Sequence, residues 1–263
     1  MKLQRLQQRW NIAGKDDPFW AVLAAPDKKG NRWQVDDFFK TGADEITALM
    51  EYVASLDTPV ARHRALDFGC GPGRLSQALA HHFERVDGVD ISPSMIELAR
   101  GFNRRPDRCE YHTLSGDDLQ LFADQSFDFI YTTMTLQHLK PRYTRRYLAE
   151  FLRVLRPDGL LIFQLPSRPA TLAGRVKRVV PEPLVDAYRR LRYGGHPAVT
   201  MFGLSKAEIA RWCEQHGAAI IDATQWEPDA RWQSFRYAVK HAPRAAQAAR
   251  DIQPRTRPHT PPG

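Results

Sequence analysis

The sequence predicts an α/β protein whose core is a doubly wound sheet of seven strands, mostly parallel, with an antiparallel strand at one edge. Short apolar runs alternate with helical segments from residue 64 to residue 217, and strands separated by helices pair in parallel. Three glycines follow the first apolar run in "RALDFGCGPGRL", which is typical of a sharp turn or a close backbone approach to a ligand. The last two apolar runs lie close together, which favours antiparallel pairing at the edge.

Residues 1–60 are predicted to form a helical extension with loops. In "VDDFFKTGADEITALMEYVASL" the apolar residues Ile46, Leu49, Met50 and Val53 recur at helical spacing. A polar stretch rich in turn formers and tryptophan precedes this helix.

The first half of the sheet carries clear start signals. Strands are predicted at 65–68, 85–91 and 109–114, and helices at 74–83 and 92–102. Ser92 suits the N-cap of the second helix and Pro93 suits its first position.

The second half of the sheet continues the alternation. Strands are predicted at 126–133, 159–165, 218–227 and 234–241, and helices at 142–155 and 205–217. Pro157 and Gly159 are interpreted as the stop of the first helix, whereas Ser205 caps the second helix and Gly217 ends it.

Two segments interrupt the alternation. Residues 166–200 follow the fifth strand and carry seven basic and two acidic residues. A segment after the carboxyl end of a strand can cover a ligand site, so it is predicted to be a helical lid in which Tyr193 and His196 contact the acceptor. Residues 241–263 contain four arginines and five prolines, which predicts a disordered basic tail.

Composition narrows the class of protein. The chain has 263 residues and a formal net charge of +8, of which the tail supplies +3. Its three cysteines, Cys70, Cys109 and Cys213, are scattered and odd in number, which argues against a disulfide framework and suits the cytoplasm. We find no zinc-ligand spacing, no apolar run of about 20 residues and no secretory signal in the sequence. We therefore expect no metal site and no transmembrane segment.

The glycine loop and Asp90 together predict a nucleoside-containing cofactor. Glycines let backbone amides approach a ligand, and Asp90 follows Gly69 by 21 residues, at the end of the second strand, where a carboxylate binds ribose hydroxyls. The GxGxG spacing differs from the dinucleotide pattern GxGxxG, and no phosphate-loop GK[ST] follows. An NAD-dependent reductase is therefore disfavoured.

Four motifs in order resemble those of the Rossmann-like (class I) S-adenosylmethionine (SAM)-dependent methyltransferases of the bacterial small-molecule type. They are "LDFGCGPGRL", "VDGVDISPSMIELAR", "GDDLQLFADQSFDFIYTTMTLQHL" and "LRVLRPDGLLIFQLPS". The resemblance is strong over residues 60–165 and looser to residue 240. It implies a methyltransferase domain over residues 61–240 with SAM as its cofactor.

The resemblance also implies roles around the methionine and ribose of SAM. Asp67, Gly69, Gly71 and Gly73 would wrap the methionine part, with Asp67 organising the loop or reaching the amino group. Asp90 would accept hydrogen bonds from both ribose hydroxyls.

Around the adenine, alternatives stay open. Ser92 and Met95 would flank the ring, although Met95 is equally explained as core. Asp117 or Asp118 would accept from the adenine amino group, and either could instead cap a turn. Arg74 is predicted to lie on the surface at the start of its helix.

The residues after the fourth strand are assigned to the methyl-transfer centre. The resemblance places Thr132, Met134 and Gln137 on the cofactor side. His138 is the leading candidate for a general base, because imidazole can take a hydroxyl proton near neutral pH. Its alternative is a structural role beside the cofactor.

The absence of two sequence motifs narrows the class of methyl acceptor. The run after the fourth strand reads "YTTM" rather than an NPPY-like adenine motif, and no cysteine follows a proline as in cytosine C5 enzymes. We therefore expect a small-molecule or glycan- or lipid-like acceptor, methylated on oxygen. The lid's arginines could bind an anionic acceptor or a membrane surface. The alternatives are an RNA methyltransferase and a non-catalytic SAM-binding protein; the sequence says nothing of oligomeric state.

Overall fold

A seven-stranded sheet forms the centre of the protein. The computed structural model describes residues 3–169, 201–226 and 232–243. The strands are β1 (Arg64–Phe68), β2 (Arg85–Asp90), β3 (Cys109–Thr113), β4 (Phe127–Thr132), β5 (Leu155–Pro169), β6 (Ala218–Gln225) and β7 (Trp232–His241). Their order in the sheet is β3-β2-β1-β4-β5-β7-β6.

Strand direction changes at one side of the sheet. β1 pairs in parallel with β2 and β4, and β3 and β5 extend this parallel part. β7 runs antiparallel to both of its neighbours, β5 and β6. This fits the short separation of β6 and β7 in the sequence, since only antiparallel strands can be joined by a short connection. The predicted parallel sheet with antiparallel pairing at one edge is confirmed, and the reversed strand lies just inside the outermost one.

Helices cover both faces of the sheet. They are α1 (Leu3–Asp16), α2 (Pro18–Val22), α3 (Val35–Ser55), α4 (Arg74–Leu79), α5 (Pro93–Gly101), α6 (Pro141–Val154) and α7 (Lys206–Gln215), with 3₁₀ turns at Pro26–Lys28 and Leu136–His138. Successive strand residues point to opposite faces, so Leu66 packs in one buried cluster and Ala65 in another. The first cluster includes α6 and α7, and the second includes α3, α4 and α5.

The element boundaries differ most from the prediction in β5 and α4. β5 begins at Leu155, which pairs with Phe127, and a register shift accommodates the residues before Leu160. Pro157 therefore lies inside the strand at an irregularity, one of the few positions where a sheet tolerates proline. α4 ends at Leu79 rather than at residue 83, since the N–H of His81 already bonds three residues back to Ala78.

The predicted lid and tail lie mostly beyond the part of the chain that the structure describes. Residues 166–169, expected in the lid, belong to β5 and pair with β7. Residues 170–200, with Tyr193 and His196, and residues 244–263 of the tail are outside the described ranges. Among the described helices, none combines the length and apolarity that crossing a bilayer requires.

Candidate active site

A cavity of about 500 Å³ opens at the carboxyl ends of β1, β2 and β4. This is the edge at which open α/β sheets bind ligands. Of the residues predicted from the sequence, the cavity wall contains Gly69, Gly71, Asp90, Met95, Met134, Gln137 and His138. Residues that are 69 positions apart in the chain thus meet around one space.

The glycine loop between β1 and α4 requires glycine at specific positions. Gly69, Gly71 and Gly73 have φ values of +80°, +52° and +86°, in the left-handed region that side chains rarely adopt. A Cβ on Gly69 would overlap Thr135, and one on Gly73 would lie 2.6 Å from the Tyr111 hydroxyl. The loop therefore packs closely against Thr135 and Tyr111, and Gly71 leaves its backbone facing the cavity without a side chain.

Asp90 connects the loop to the end of β2. Its Oδ2 accepts from the Gly71 N–H at 3.0 Å and its Oδ1 accepts from the Ser92 N–H at 2.8 Å. Burial raises the pKa of Asp90 although these backbone N–H groups lower it. The carboxylate is thus fixed in direction at the cavity wall, where hydroxyl groups of a ligand can reach its remaining lone pairs.

Asp67 lies behind the loop rather than in the cavity wall. The residue is 1% exposed, and its Oδ2 accepts from the Ser76 hydroxyl at 2.6 Å. Burial raises the pKa of Asp67 to about 7, against the lowering effect of the Ser76 hydrogen bond. Its observed contact ties β1 to α4 and supports the loop from below.

The wall beyond β2 is apolar. Met95 and Leu114 line it, and both are buried. Ser92 does not line it; its side chain accepts from the Met95 N–H as the N-cap of α5, which confirms the predicted cap. This wall offers apolar packing of the kind that a flat ring requires.

The two candidate aspartates after β3 stand apart from the cavity lining. Asp117 pairs with Arg146 at 3.3 Å, and Asp118 accepts from the Gln120 N–H at 3.4 Å. Tyr147 lines the cavity and donates to the Gly116 carbonyl at 2.8 Å. The structure therefore places neither aspartate in the cavity lining and does not distinguish between their predicted roles.

The residues after β4 form the opposite wall. Met134 has a φ of +54°, a strained value for a side chain of its size, and its N–H donates to Gln164 at 3.2 Å. Gln137 and His138 follow in a 3₁₀ turn and also line the cavity. Thr132 lies behind them, 1% exposed and outside the lining.

The N-terminal helices supply a part of the wall that sequence reasoning missed. Leu6, Trp10 and Val22 line the cavity, and the Trp10 ring lies 5.2 Å from the His138 ring. The Gln7 amide donates to the Ile91 carbonyl at 3.0 Å and holds α1 across the end of β2. The tryptophans before α3 were a visible signal, but their spacing does not say what they pack against.

The position of Arg74 differs from the prediction made from the sequence. It was predicted on the surface, but it is 3% exposed and lines the cavity. Its guanidinium donates to Glu45 at 2.8 Å and to Thr41 at 3.3 Å. Because α3 packs over α4 and supplies this carboxylate, the arginine is buried with its charge paired.

One cluster of possible metal ligands lies elsewhere. Asp87, Glu110 and His112 come within ligand distance of one another. The Arg64 guanidinium binds both oxygens of the buried Asp87, at 2.7 and 3.0 Å, so an ion pair already explains the position of this carboxylate.

Sequence comparison matches part of this chain to methyltransferases. Residues 66–163 match a family model described as a methyltransferase domain. The chain is 26% identical to the ubiquinone biosynthesis O-methyltransferase of Coxiella burnetii (strain RSA 493 / Nine Mile phase I) over 66% of this chain and 71% of that one. It is 36% identical to the demethylmenaquinone methyltransferase of Clavibacter sepedonicus, over 44% of this chain and 47% of that one.

Solved structures share the fold at low sequence identity. The magnesium protoporphyrin IX methyltransferase of Synechocystis PCC 6803, with bound SAH, has a TM-score of 0.59 at 18% identity, covering 91% of this chain and 100% of that chain. The PH0226 protein of Pyrococcus horikoshii OT3 has a TM-score of 0.58 at 19% identity, covering 85% and 98%.

Proposed function

We propose that this chain, which belongs to the class I SAM-dependent methyltransferases, methylates a small organic molecule on a hydroxyl oxygen. In this proposal His138 is the base. The observation that carries the proposal is the single cavity that joins the glycine loop and Asp90 to His138. Of the two relatives named above, one is a ubiquinone biosynthesis O-methyltransferase and the other is a demethylmenaquinone methyltransferase.

The residues present fit SAM as the cofactor. Gly71 leaves room at the wall, Asp90 presents a fixed carboxylate, and Met95 and Leu114 offer an apolar face. When bound, SAM supplies a methyl group on a sulfonium sulfur for in-line displacement by the acceptor. Ribose hydroxyls would then donate to Asp90, and the adenine would pack near Met95.

The protein's own chemistry lies mainly in orientation and proton removal. Trp10 and the loop after β4 enclose the space beside His138. His138 Nε2 lies 3.4 Å from the Gln137 amide nitrogen, which restricts the imidazole ring. An imidazole in this place accepts the hydroxyl proton as the oxygen becomes a nucleophile.

Calorimetric titration tests the cofactor side of the proposal first. We expect SAM and S-adenosylhomocysteine (SAH) to bind with micromolar affinity and NADH not to bind. Tight binding of NADH would contradict the assignment of SAM as the cofactor. Failure of all three compounds to bind would also contradict it.

Methyl transfer from radiolabelled SAM to a panel of phenols, catechols, amines and activated carbons tests the acceptor side. We expect labelled ether products, and His138→Gln should lower kcat about 100-fold or more. The control His63→Gln changes an exposed histidine that pairs with Glu84 on the surface and should leave kcat unchanged. Labelled carbon or amine products, or full activity in His138→Gln, would contradict oxygen transfer through this base.

A further inference from the structure

A second cavity, of about 100 Å³, lies between α3, the end of β4 and the neighbouring strands β5 and β7. Its wall includes Glu45, Tyr131, Thr133, Gln164, Trp226 and Arg236. Thr133 also lines the large cavity, so the small cavity adjoins the proposed methyl-transfer centre.

The Gln164 amide is oriented by the backbone of the loop after β4. Gln164 is 2% exposed, and its Oε1 accepts from the Met134 N–H at 3.2 Å. The Oε1 end of the amide is therefore occupied, whereas the amide nitrogen Nε2 has no hydrogen-bond partner among the described residues. A buried donor without a partner is destabilising, and a ligand oxygen that accepts from it would remove that cost.

Arg236 supplies a second donor with a positive charge. Its guanidinium lies 3.4 Å from the centre of the Tyr52 ring, and the Tyr52 hydroxyl donates to Asp222 at 2.6 Å. This stacking fixes the plane of the guanidinium. The buried Nε of Arg236 likewise has no hydrogen-bond partner within the described part of the chain.

The acidic residue in the wall does not compete for an anion. Glu45 accepts from Arg74 at 2.8 Å and from the Tyr131 hydroxyl at 2.9 Å, so a cation and a hydroxyl already satisfy both of its oxygens. The groups of the cavity wall that remain available to a ligand are the hydrogen-bond donors of Gln164 and Arg236, and Arg236 is cationic. Such a donor set matches a carboxylate.

We propose that this cavity is a subsite for a carboxylate group of the methyl acceptor, held by Gln164 and Arg236. The inference rests on the proposed function and makes the acceptor a small organic hydroxy acid. Thr133 and Met134 are adjacent in the chain, so an acceptor whose carboxylate sits here places its hydroxyl toward the larger cavity.

The test is calorimetric titration of the SAH-loaded protein with acetate, benzoate and salicylate, with acetamide and benzamide as matched neutral probes. We expect at least one carboxylate to bind ~10-fold or more tightly than its amide. Arg236→Met should abolish this preference. Gln164→Glu keeps an oxygen for the Met134 N–H but adds a repelling charge, and it should weaken carboxylate binding at least as much.

Controls separate this inference from the proposed function. Arg168→Met removes an exposed arginine of β5 that hydrogen-bonds Gln233 at 2.8 Å, and it should retain carboxylate binding. SAH affinity should stay within ~2-fold of wild type in every variant. No carboxylate preference in the wild type, or an unchanged preference in Arg236→Met, would overturn the subsite while the SAH result leaves the proposed function standing. Equal loss of SAH affinity in Arg236→Met would assign the cavity to the cofactor's own carboxylate and also overturn the proposal.

Discussion

At the scale of single residues, Asp90 has two roles in the proposed cofactor site. Its two oxygens already hold the Gly71 and Ser92 amides, so the same side chain shapes the loop and faces the cavity. A ligand that donates to Asp90 therefore adds to an existing hydrogen-bond network.

Asp90→Ala should weaken SAH binding at least ~30-fold, because it removes charge-assisted hydrogen bonds worth about 1.5–3 kcal/mol each. The fold should persist, because the change leaves the packed core of the sheet intact and removes only the acceptor of the Gly71 and Ser92 N–H groups. Calorimetry gives the affinity, and Asp158→Ala, which changes an exposed carboxylate of β5, serves as the control. An affinity for SAH equal to that of the wild type would remove Asp90 from the site.

Asp67 makes the stability of the protein depend on pH. Its pKa of about 7 in the folded state lies above the ordinary aspartate value of about 4, so the folded chain holds this proton more tightly than the unfolded chain. The contribution of Asp67 to the free energy of unfolding therefore falls as pH rises from about 4 to about 7, and the loss is complete above that range.

Asp67→Asn should abolish this loss, since an amide oxygen can still accept from Ser76. We expect the variant to gain stability relative to the wild type between pH 5 and pH 8, on the order of 2 kcal/mol. Urea unfolding at the two pH values measures the gain, with Asp158→Asn as the exposed control. A difference between variant and wild type that does not change with pH would show that Asp67 is ionised in the folded state.

The sequence was sufficient to predict the positions of some of these residues but not of others. Gly69, Gly71 and Asp90 could be found because their roles depend on local spacing, and all three line the cavity. Arg74 was misplaced because its partner Glu45 lies 29 positions away on α3, and single-sequence patterns do not pair distant charges. The placement of Met134 after β4 was predictable, but its strained backbone was not.

At the scale of elements, the contact between α1 and α5 closes the cavity. Asn11 accepts from the Ser94 N–H at 3.0 Å through its side chain and from the Ser94 hydroxyl at 2.8 Å through its carbonyl. Gly14 completes the contact, because a Cβ there would overlap the Ser94 hydroxyl. The two helices can approach this closely only where the side chain is absent.

Gly14→Ala should therefore destabilise the protein by about 1–3 kcal/mol, although alanine ordinarily favours a helix by up to about 1 kcal/mol over glycine. SAH affinity should fall with it, since Leu6 and Trp10 on the same helix line the cavity. Gly101→Ala, where an added Cβ meets nothing within 4 Å, is the matched control and should be neutral or slightly stabilising. Equal stability of the two variants would show that α1 is not packed on α5 in solution.

At the scale of the whole molecule, the predicted α/β sheet is confirmed, and residues 66–163 match a methyltransferase domain. The sheet was predictable because the alternation of strands and helices is a local pattern repeated many times. The N-terminal cover of the cavity was not, because helical periodicity shows which face of α1 is apolar and not which part of the sheet it meets. The end of β5 was missed for a related reason: its last residues are fixed by pairing with β7, more than 60 positions later.

The arrangement of the cavity predicts how cofactor binding redistributes stability through the chain. The cavity wall joins α1 to the loop after β1 and to the ends of β2 and β4, whereas β6 contributes no lining residue there. SAH at 100 times its Kd should raise the free energy of unfolding by about 2.7 kcal/mol. Opening of α1 should become rarer, because its Leu6 and Trp10 then cover a filled site.

Hydrogen exchange followed by mass spectrometry measures this redistribution residue range by residue range. We expect amides of residues 3–24 and 69–75 to exchange at least ~10-fold more slowly with SAH, and amides of residues 218–225 to be protected only as far as global stability rises. Asp90→Ala at the same SAH concentration should show neither effect. Strong protection of the loop with unchanged exchange in α1 would mean that the N-terminal helices do not close on the cofactor, and the enclosing role given to Trp10 would then be wrong.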